Sequence, residues 1–194
     1  MTGDTAGLFG IFSDLFVENT QEFFIPKSTR FDLPPLQKNV RELCLQLQAH
    51  HNKHPTTCIF PNCDYPEESA AIVFTTQNFE DCIWAYFTVF HPQHPFIHWP
   101  TFDIYTFSRP LLLAVALAGS VHCPPSDAAL LARTFFHLAE DFIFDHLRSI
   151  IAKIDAQEEA RLQSFQAALL IVTVRNKQVN PFTFRDPLTY LGRS

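Results

Sequence analysis

Apolar residues recur at helical spacing along most of the chain, and prolines cut that pattern into segments. Leu36, Val40, Leu43, Cys44 and Leu47 fall on one face of a 3.6-residue helix, with Pro34-Pro35 blocking helix upstream of Leu36. His50 to Pro66 carries Pro55, Pro61 and Pro66 with almost no apolar period, and reads as irregular. A second helical pattern starts at Ser69 or Asn78 and ends at Phe90, placing Phe79, Ile83, Trp84, Phe87 and Phe90 along a buried stripe. Ser108-Arg109-Pro110 signals a further start, because proline is tolerated in a first turn. The helix that follows, Leu111 to Ala118, is apolar nearly all round and belongs at the centre of a core. Pro124-Pro125 ends it and Ser126-Asp127 caps the next, which carries Leu130, Leu131, Thr134, Phe135, Leu138, Phe142 and Ile143. A last pattern runs from Glu158 to Val174 through Leu162, Phe165, Leu169 and Val172. Leu170 and Ile171 widen it beyond one face, so this helix expects neighbours on several sides and an exposed apolar patch beside it. No βαβ alternation is present. The pattern predicts an all-α fold, a multi-helix array with short linkers.

The first 25 residues stand apart. Asp4, Asp14, Glu18 and Glu22 occur there with no basic residue, interleaved with Leu8, Phe9, Ile11, Phe12, Leu15, Phe16, Phe23 and Phe24. Two readings stay open: an ordinary first helix packed on the core, and an acidic, Phe-rich segment that docks on a coactivator groove. The division that follows is an acidic N-terminal segment with its linker over residues 1–35 and a helical domain over 36–194. The whole chain has 194 residues, enough for one domain, and 47% hydrophobic residues, enough for a core. Of its aromatics 21 are Phe, against 4 Tyr and 2 Trp, so most rings must be buried or held against a partner. Net charge is −6, which makes a poor phosphate-neutralising surface and argues against this chain gripping DNA by itself. The longest apolar stretch, Leu111 to Val121, is about half the ~20 residues that a membrane-spanning helix needs. No signal-peptide pattern opens the chain, and its 5 cysteines, odd in number and irregularly spaced, read as reduced thiols.

Two histidine groups are candidates for chemistry. His50, His51, His54, Cys58 and Cys63 crowd into one short stretch, and His50, His54, Cys58 and Cys63 could complete a tetrahedral zinc site. The histidines precede the cysteines, which is the wrong order for a two-cysteine, two-histidine finger. The alternative is a His-rich helix C-terminus followed by a loop. His91, His94 and His98 form the second group and open a reading as a metal-dependent hydrolytic enzyme. His91 and His94 each precede a proline, which drives them into extended geometry, and no carboxylate lies among them to fix a tautomer or act as base. The reading preferred here is structural: no catalytic residue, no cofactor in this chain, and histidines that satisfy backbone groups at a tight corner.

The stretch Tyr86-Phe87, Phe90-His91-Pro92, Pro95-Phe96-Ile97-His98, Pro100-Thr101-Phe102, followed by Arg109-Pro110-Leu111-Leu112-Leu113-Ala114-Val115-Ala116-Leu117-Ala118-Gly119-Ser120, resembles the signature of the fungal-specific transcription factor domain. This domain is the middle homology region of fungal zinc-finger regulators. The resemblance spans roughly residues 70–175, is strongest over 86–120, and continues more weakly through Gln166 to Leu170. His94 and Trp99 depart from the family's usual residues. The resemblance implies Phe90, His91, Pro92, Pro95, His98, Pro100, Thr101 and Phe102 as structural signature residues. It also implies a nuclear regulator of RNA polymerase II genes, with a transcription-factor partner, a coactivator or a second copy of the chain as its contacts. Zinc and DNA would be handled by a separate N-terminal finger, which five cysteines cannot supply here. The family domain usually continues past the point where this chain stops. The resemblance therefore implies a C-terminally shortened, incomplete regulatory domain, with a non-functional truncated product as the remaining alternative.

Overall fold

The structure, a computed structural model, describes residues 33–54, 64–104, 106–124 and 126–179. Among the described residues the chain is helical without strands, as the apolar period requires. Helix α1 (Leu33–Lys53) begins before the double proline rather than after it. Pro34 and Pro35 sit in its first turn, where an N–H would be unpaired anyway and a φ near −65° is already helical. The same helix runs on through His50 and His51, past the point where the periodicity fades. Leu36, Val40, Leu43 and Leu47 are all buried.

Of the two starts read for the pattern that ends at Phe90, the structure fits the one near Asn78, and the stretch at Ser69 belongs to a separate helix. Helix α2 (Glu67–Val73) and helix α3 (Thr76–Ala85) are divided at Thr75. The Thr75 hydroxyl accepts the Asn78 N–H at 3.2 Å, and Asn78 Nδ2 donates to the Ile72 carbonyl at 2.6 Å, so one pair of residues caps α3 and closes α2. Helix α3 continues as a wider π turn, Tyr86–Phe90, closed by the His91 N–H on the Tyr86 carbonyl at 2.8 Å. Phe79, Ile83, Phe87 and Phe90 are buried as the stripe predicts, but Trp84 is 44% exposed and points outward.

Helix α4 (Arg109–Ser120) is buried at every position from Pro110 to Ser120. It packs on α3 and on the two later long helices, so it is the core element its composition announces. Each fully buried Leu here contributes about 1.5–3 kcal/mol relative to exposure. The α3–α4 crossing is unusually close: a Cβ built on Gly119 would stand 1.8 Å from the Cys82 carbonyl oxygen. Only glycine permits that approach. The crossing also sets Cys123 Sγ 3.7 Å from Cys82 Sγ, with both thiols free. In this pair the hydrogen bond with Cys123, and then burial, push the Cys82 thiol up, while the same bond holds Cys123 below its ordinary range.

Helix α5 (Asp127–Ala132) starts at the expected cap, with Ser126 Oγ accepting the Ala129 N–H at 3.2 Å. A 3-10 turn, Arg133–Phe135, then leads into helix α6 (Phe136–Ile151). The tighter turn rotates the apolar face. Ala132, Phe135, Phe136, Ala139, Ile143, Leu147 and Ile150 are buried, whereas Leu130 and Thr134 are exposed.

Helix α7 (Glu158–Val179) packs on α4 and α6. Its inner side is Gln163, Ser164, Ala167, Ala168, Leu170, Ile171 and Val174, opposite to the side its large residues indicate. Ion pairs fasten the periphery: Arg109 to Glu42 joins α4 to α1, and Arg175 to Glu140 joins α7 to α6. The acidic, Phe-rich segment lies outside the described residues, and of the linker after it residues 33–35 are described, as the opening of α1. No helix among the described residues is long and apolar enough to cross a membrane.

Candidate functional site

Between the π turn and α4 the described residues 91–104 and 106–108 make a corner, interrupted by a 3-10 turn at Trp99–Thr101. Such backbone has no ladder to join, so its polar groups need partners from elsewhere. His91 Nε2–H donates to the Ile97 carbonyl, which fixes the tautomer because a carbonyl can only accept. Gln166 Nε2 of α7 donates to the Phe96 carbonyl at 2.9 Å. The Ser108 N–H donates to Gln163 Oε1, also of α7, at 2.7 Å, and Glu159 holds that amide from its other end at 2.9 Å. From α1, Asn39 Nδ2 donates to the Ile104 carbonyl at 3.0 Å. The Thr101 N–H and hydroxyl both donate to the His98 carbonyl, at 3.1 and 3.0 Å.

The signature residues therefore divide by what each does. Phe90 is buried and stacks on Tyr86 with centroids 5.5 Å apart. Phe102 is half-buried, edge-on to Phe87 at 4.7 Å and stacked on Phe107 at 4.9 Å. His91 pairs with backbone at the Ile97 carbonyl. His98 does not do so through its ring, which is exposed; its carbonyl accepts the Thr101 bonds. Pro92, Pro95 and Pro100 lie exposed at the turns they force. Full burial in the corner belongs to Ile97 and Ile104 rather than to Phe96 and Phe102. Tyr86 is buried with an unpartnered hydroxyl, and burial pushes its phenol above the ordinary range.

The corner histidines do not share a ligand position. His91 is on the Ile97 carbonyl, the His94 ring lies 4.7 Å from the Phe90 ring, and His98 faces out. Among the described residues, the group whose ligand atoms converge is His50, His54 and Asp145, all within 4.8 Å of one another. His50 comes from the last turn of α1, His54 directly follows that helix with its N–H on the His50 carbonyl at 3.0 Å, and Asp145 comes from α6. Cys58 and Cys63, their expected companions, lie outside the described residues. Gln163, Gln166, Asn39 and Asp145 escape a reading by motif. The one signal available in advance is that Gln163 and Gln166 interrupt an apolar helix on the side that proves buried or half-buried.

A second surface is the outer face of α7. Leu162, Phe165, Leu169 and Val172 are between 37% and 54% exposed and recur at three- and four-residue steps along one edge. The apolar patch anticipated beside this helix is present.

The model of the family described as "Fungal specific transcription factor domain" matches residues 83–179. That span begins in α3, includes the corner and α4, and ends with α7. Among curated proteins, "Transcription factor verF" of Penicillium polonicum is 29% identical over 109 residues, covering 53% of this chain. The chain spans about 15% of the length of that relative. No solved structure matches the chain. With a family match from α3 to the end of α7, and a corner whose residues each answer a backbone or packing need, the chain belongs to the fungal-specific transcription factor domain family.

Proposed function

We propose that this chain is the regulatory and interaction domain of a nuclear transcription regulator of RNA polymerase II genes, and that it reaches DNA through a separate zinc-finger module. The observation that carries the proposal is the exposed stripe Leu162, Phe165, Leu169, Val172 within the family-matched span. Its alternating three- and four-residue spacing is the seam that a second helix packs into. The occupant we assign is an amphipathic helix of a transcription-factor partner or coactivator. Helix α7 is held from inside by α4, α6 and its two corner amides, so the stripe is presented rigidly and binding loses little ordering entropy. Net charge of −6 is unfavourable against phosphate, and 5 cysteines are too few for a six-cysteine zinc cluster. Both points favour a partner-binding task over direct DNA contact.

The test fuses the chain to a heterologous DNA-binding domain and reads a reporter gene. The fusion is expected to change reporter transcription. Leu162→Glu with Leu169→Glu is expected to abolish the change while far-UV circular dichroism stays helical, since both side chains are about half exposed. A reporter indifferent to the fusion, or an effect untouched by the double variant, would overturn the proposal.

A further inference from the structure

We infer that His50, His54 and Asp145 form a site for one divalent transition-metal ion of the zinc class, which cross-links the end of α1 to α6. The two histidines are four residues apart across the end of α1, where the His54 N–H still bonds the His50 carbonyl at 3.0 Å, so their imidazoles rise on the same side with ring centroids 4.9 Å apart. Asp145 enters from the facing helix. Its Oδ2 lies 4.0 Å from His50 Nδ1 and 3.9 Å from His54 Nε2. Zinc held at about 2.0–2.1 Å puts tetrahedral ligand atoms about 3.4 Å apart, so each of these separations needs to close by roughly half an ångström. Rotation of the Asp145 carboxylate, 43% exposed, closes these two edges, and turning the His50 and His54 rings about their side-chain bonds must close the edge between them, since the three ligand atoms lie within 4.8 Å of one another.

The surroundings favour a ligand set over an isolated ion pair. The His50 side chain is 10% exposed, its Nε2 is buried with no hydrogen bond, and its ring lies edge-on to Phe142 at 5.6 Å. Burial first, then the neighbouring His54, hold His50 below its ordinary value of 6.5, so at neutral pH it carries the free lone pair that a metal needs. Asp141 adds a second carboxylate close by, and Lys53 opposes it. Arg148 Nη1 donates to Asp145 Oδ1 at 3.3 Å, which leaves Oδ2 turned towards the imidazoles, as an outer partner does for a ligating carboxylate. Two nitrogens and one oxygen suit zinc, cobalt, nickel or copper and do not suit magnesium or calcium. His54 and Asp145 are partly exposed, at 38% and 43%, which leaves an entry path and room for water as a remaining ligand.

Titration of the purified full chain with zinc, followed by calorimetry, tests the site, and cobalt absorption reports the coordination. One zinc per chain is expected. Asp145→Asn should weaken binding by at least about tenfold, and His50→Gln with His54→Gln should remove it. Circular dichroism of each variant confirms that the fold survives. As an independent readout, zinc should raise the thermal midpoint of the wild-type chain and not that of Asp145→Asn. A tenfold loss in Asp145→Asn supports the site whether or not Cys58→Ser with Cys63→Ser also weakens binding. Unchanged zinc affinity in Asp145→Asn, or no stoichiometric zinc at all, overturns it.

Discussion

Replacing Gly119 by alanine should destabilise the protein, although intrinsic helix propensity argues the other way. In an unobstructed helix interior the change gains about 1 kcal/mol. At this crossing the new Cβ would lie 1.8 Å from the Cys82 carbonyl oxygen, 2.6 Å from its carbon and 3.1 Å from the Tyr86 nitrogen, where ordinary contact begins at 3.4 Å. The obstacle is backbone, and that carbonyl already accepts the Tyr86 N–H, so no side-chain rotation can make room. Helices α3 and α4 must part by more than an ångström, or α4 must turn within a core that touches it on every side. Overpacking by one methyl group in a yielding core costs about 1–3 kcal/mol. With a rigid obstacle, and with the contacts of a fully buried helix loosened as well, we take the strain at about 4 kcal/mol, for a net loss of about 3 kcal/mol. Urea denaturation followed by circular dichroism measures this as a lowered midpoint at unchanged slope. Cys82→Ala in the same background should not restore stability, because the clash is with the carbonyl. Stability equal to or above wild type in Gly119→Ala, or rescue by Cys82→Ala, would refute the reasoning.

Two further outcomes follow from the corner and from two half-buried histidines. His91→Ala leaves the Ile97 carbonyl orphaned and should cost about 1–3 kcal/mol, while the exposed His98→Ala should stay within about 0.5 kcal/mol of wild type; the opposite ranking in chemical denaturation would show that the ring of His98 holds the corner. Burial holds His50 and His146 below 6.5 in the fold, so below that pH the unfolded chain binds more protons. Stability is then fully present above pH 6.5 and is lost as pH falls through 6.5 towards the folded values. His146→Gln should flatten the dependence of the urea midpoint on pH, and an unaltered slope would count against a half-buried neutral ring.

Helix α4 and the inner face of α1 are legible from residue order because their buried sides are made of large aliphatics, and nothing else competes for those positions. The corner is legible for a related reason: prolines and aromatics at set spacings allow few backbone paths. Other features depend on information that periodicity does not hold. The break at Thr75 rests on one side-chain cap, which an apolar count passes over. The face of α6 is turned by a single 3-10 turn at Arg133–Phe135. Helix α7 misleads most, because the side it buries is rich in Ala167, Ala168 and Ser164, small residues that let it lie close to α4, while its larger Leu162, Phe165 and Leu169 stay outside. Two of the three proposed metal ligands could be read from the four-residue step between His50 and His54. Asp145 could not, since only the packing of α6 against α1 brings it there.

The corner's side-chain bonds also set an order of events in the making of the protein. Gln166 reaches back 70 residues to the Phe96 carbonyl and Gln163 reaches back 55 to the Ser108 N–H. At about 5–20 residues per second of synthesis, the Phe96 carbonyl waits roughly 4–14 s for its amide. During that interval the family's most recognisable segment has left the ribosome with backbone groups that only water can serve, beside a helix α4 with no α7 to cover it. Loop closures of this length slow folding and prolong the exposure of apolar surface. The side-chain bonds that serve the segment carrying the family pattern can therefore form only once α7 has been made.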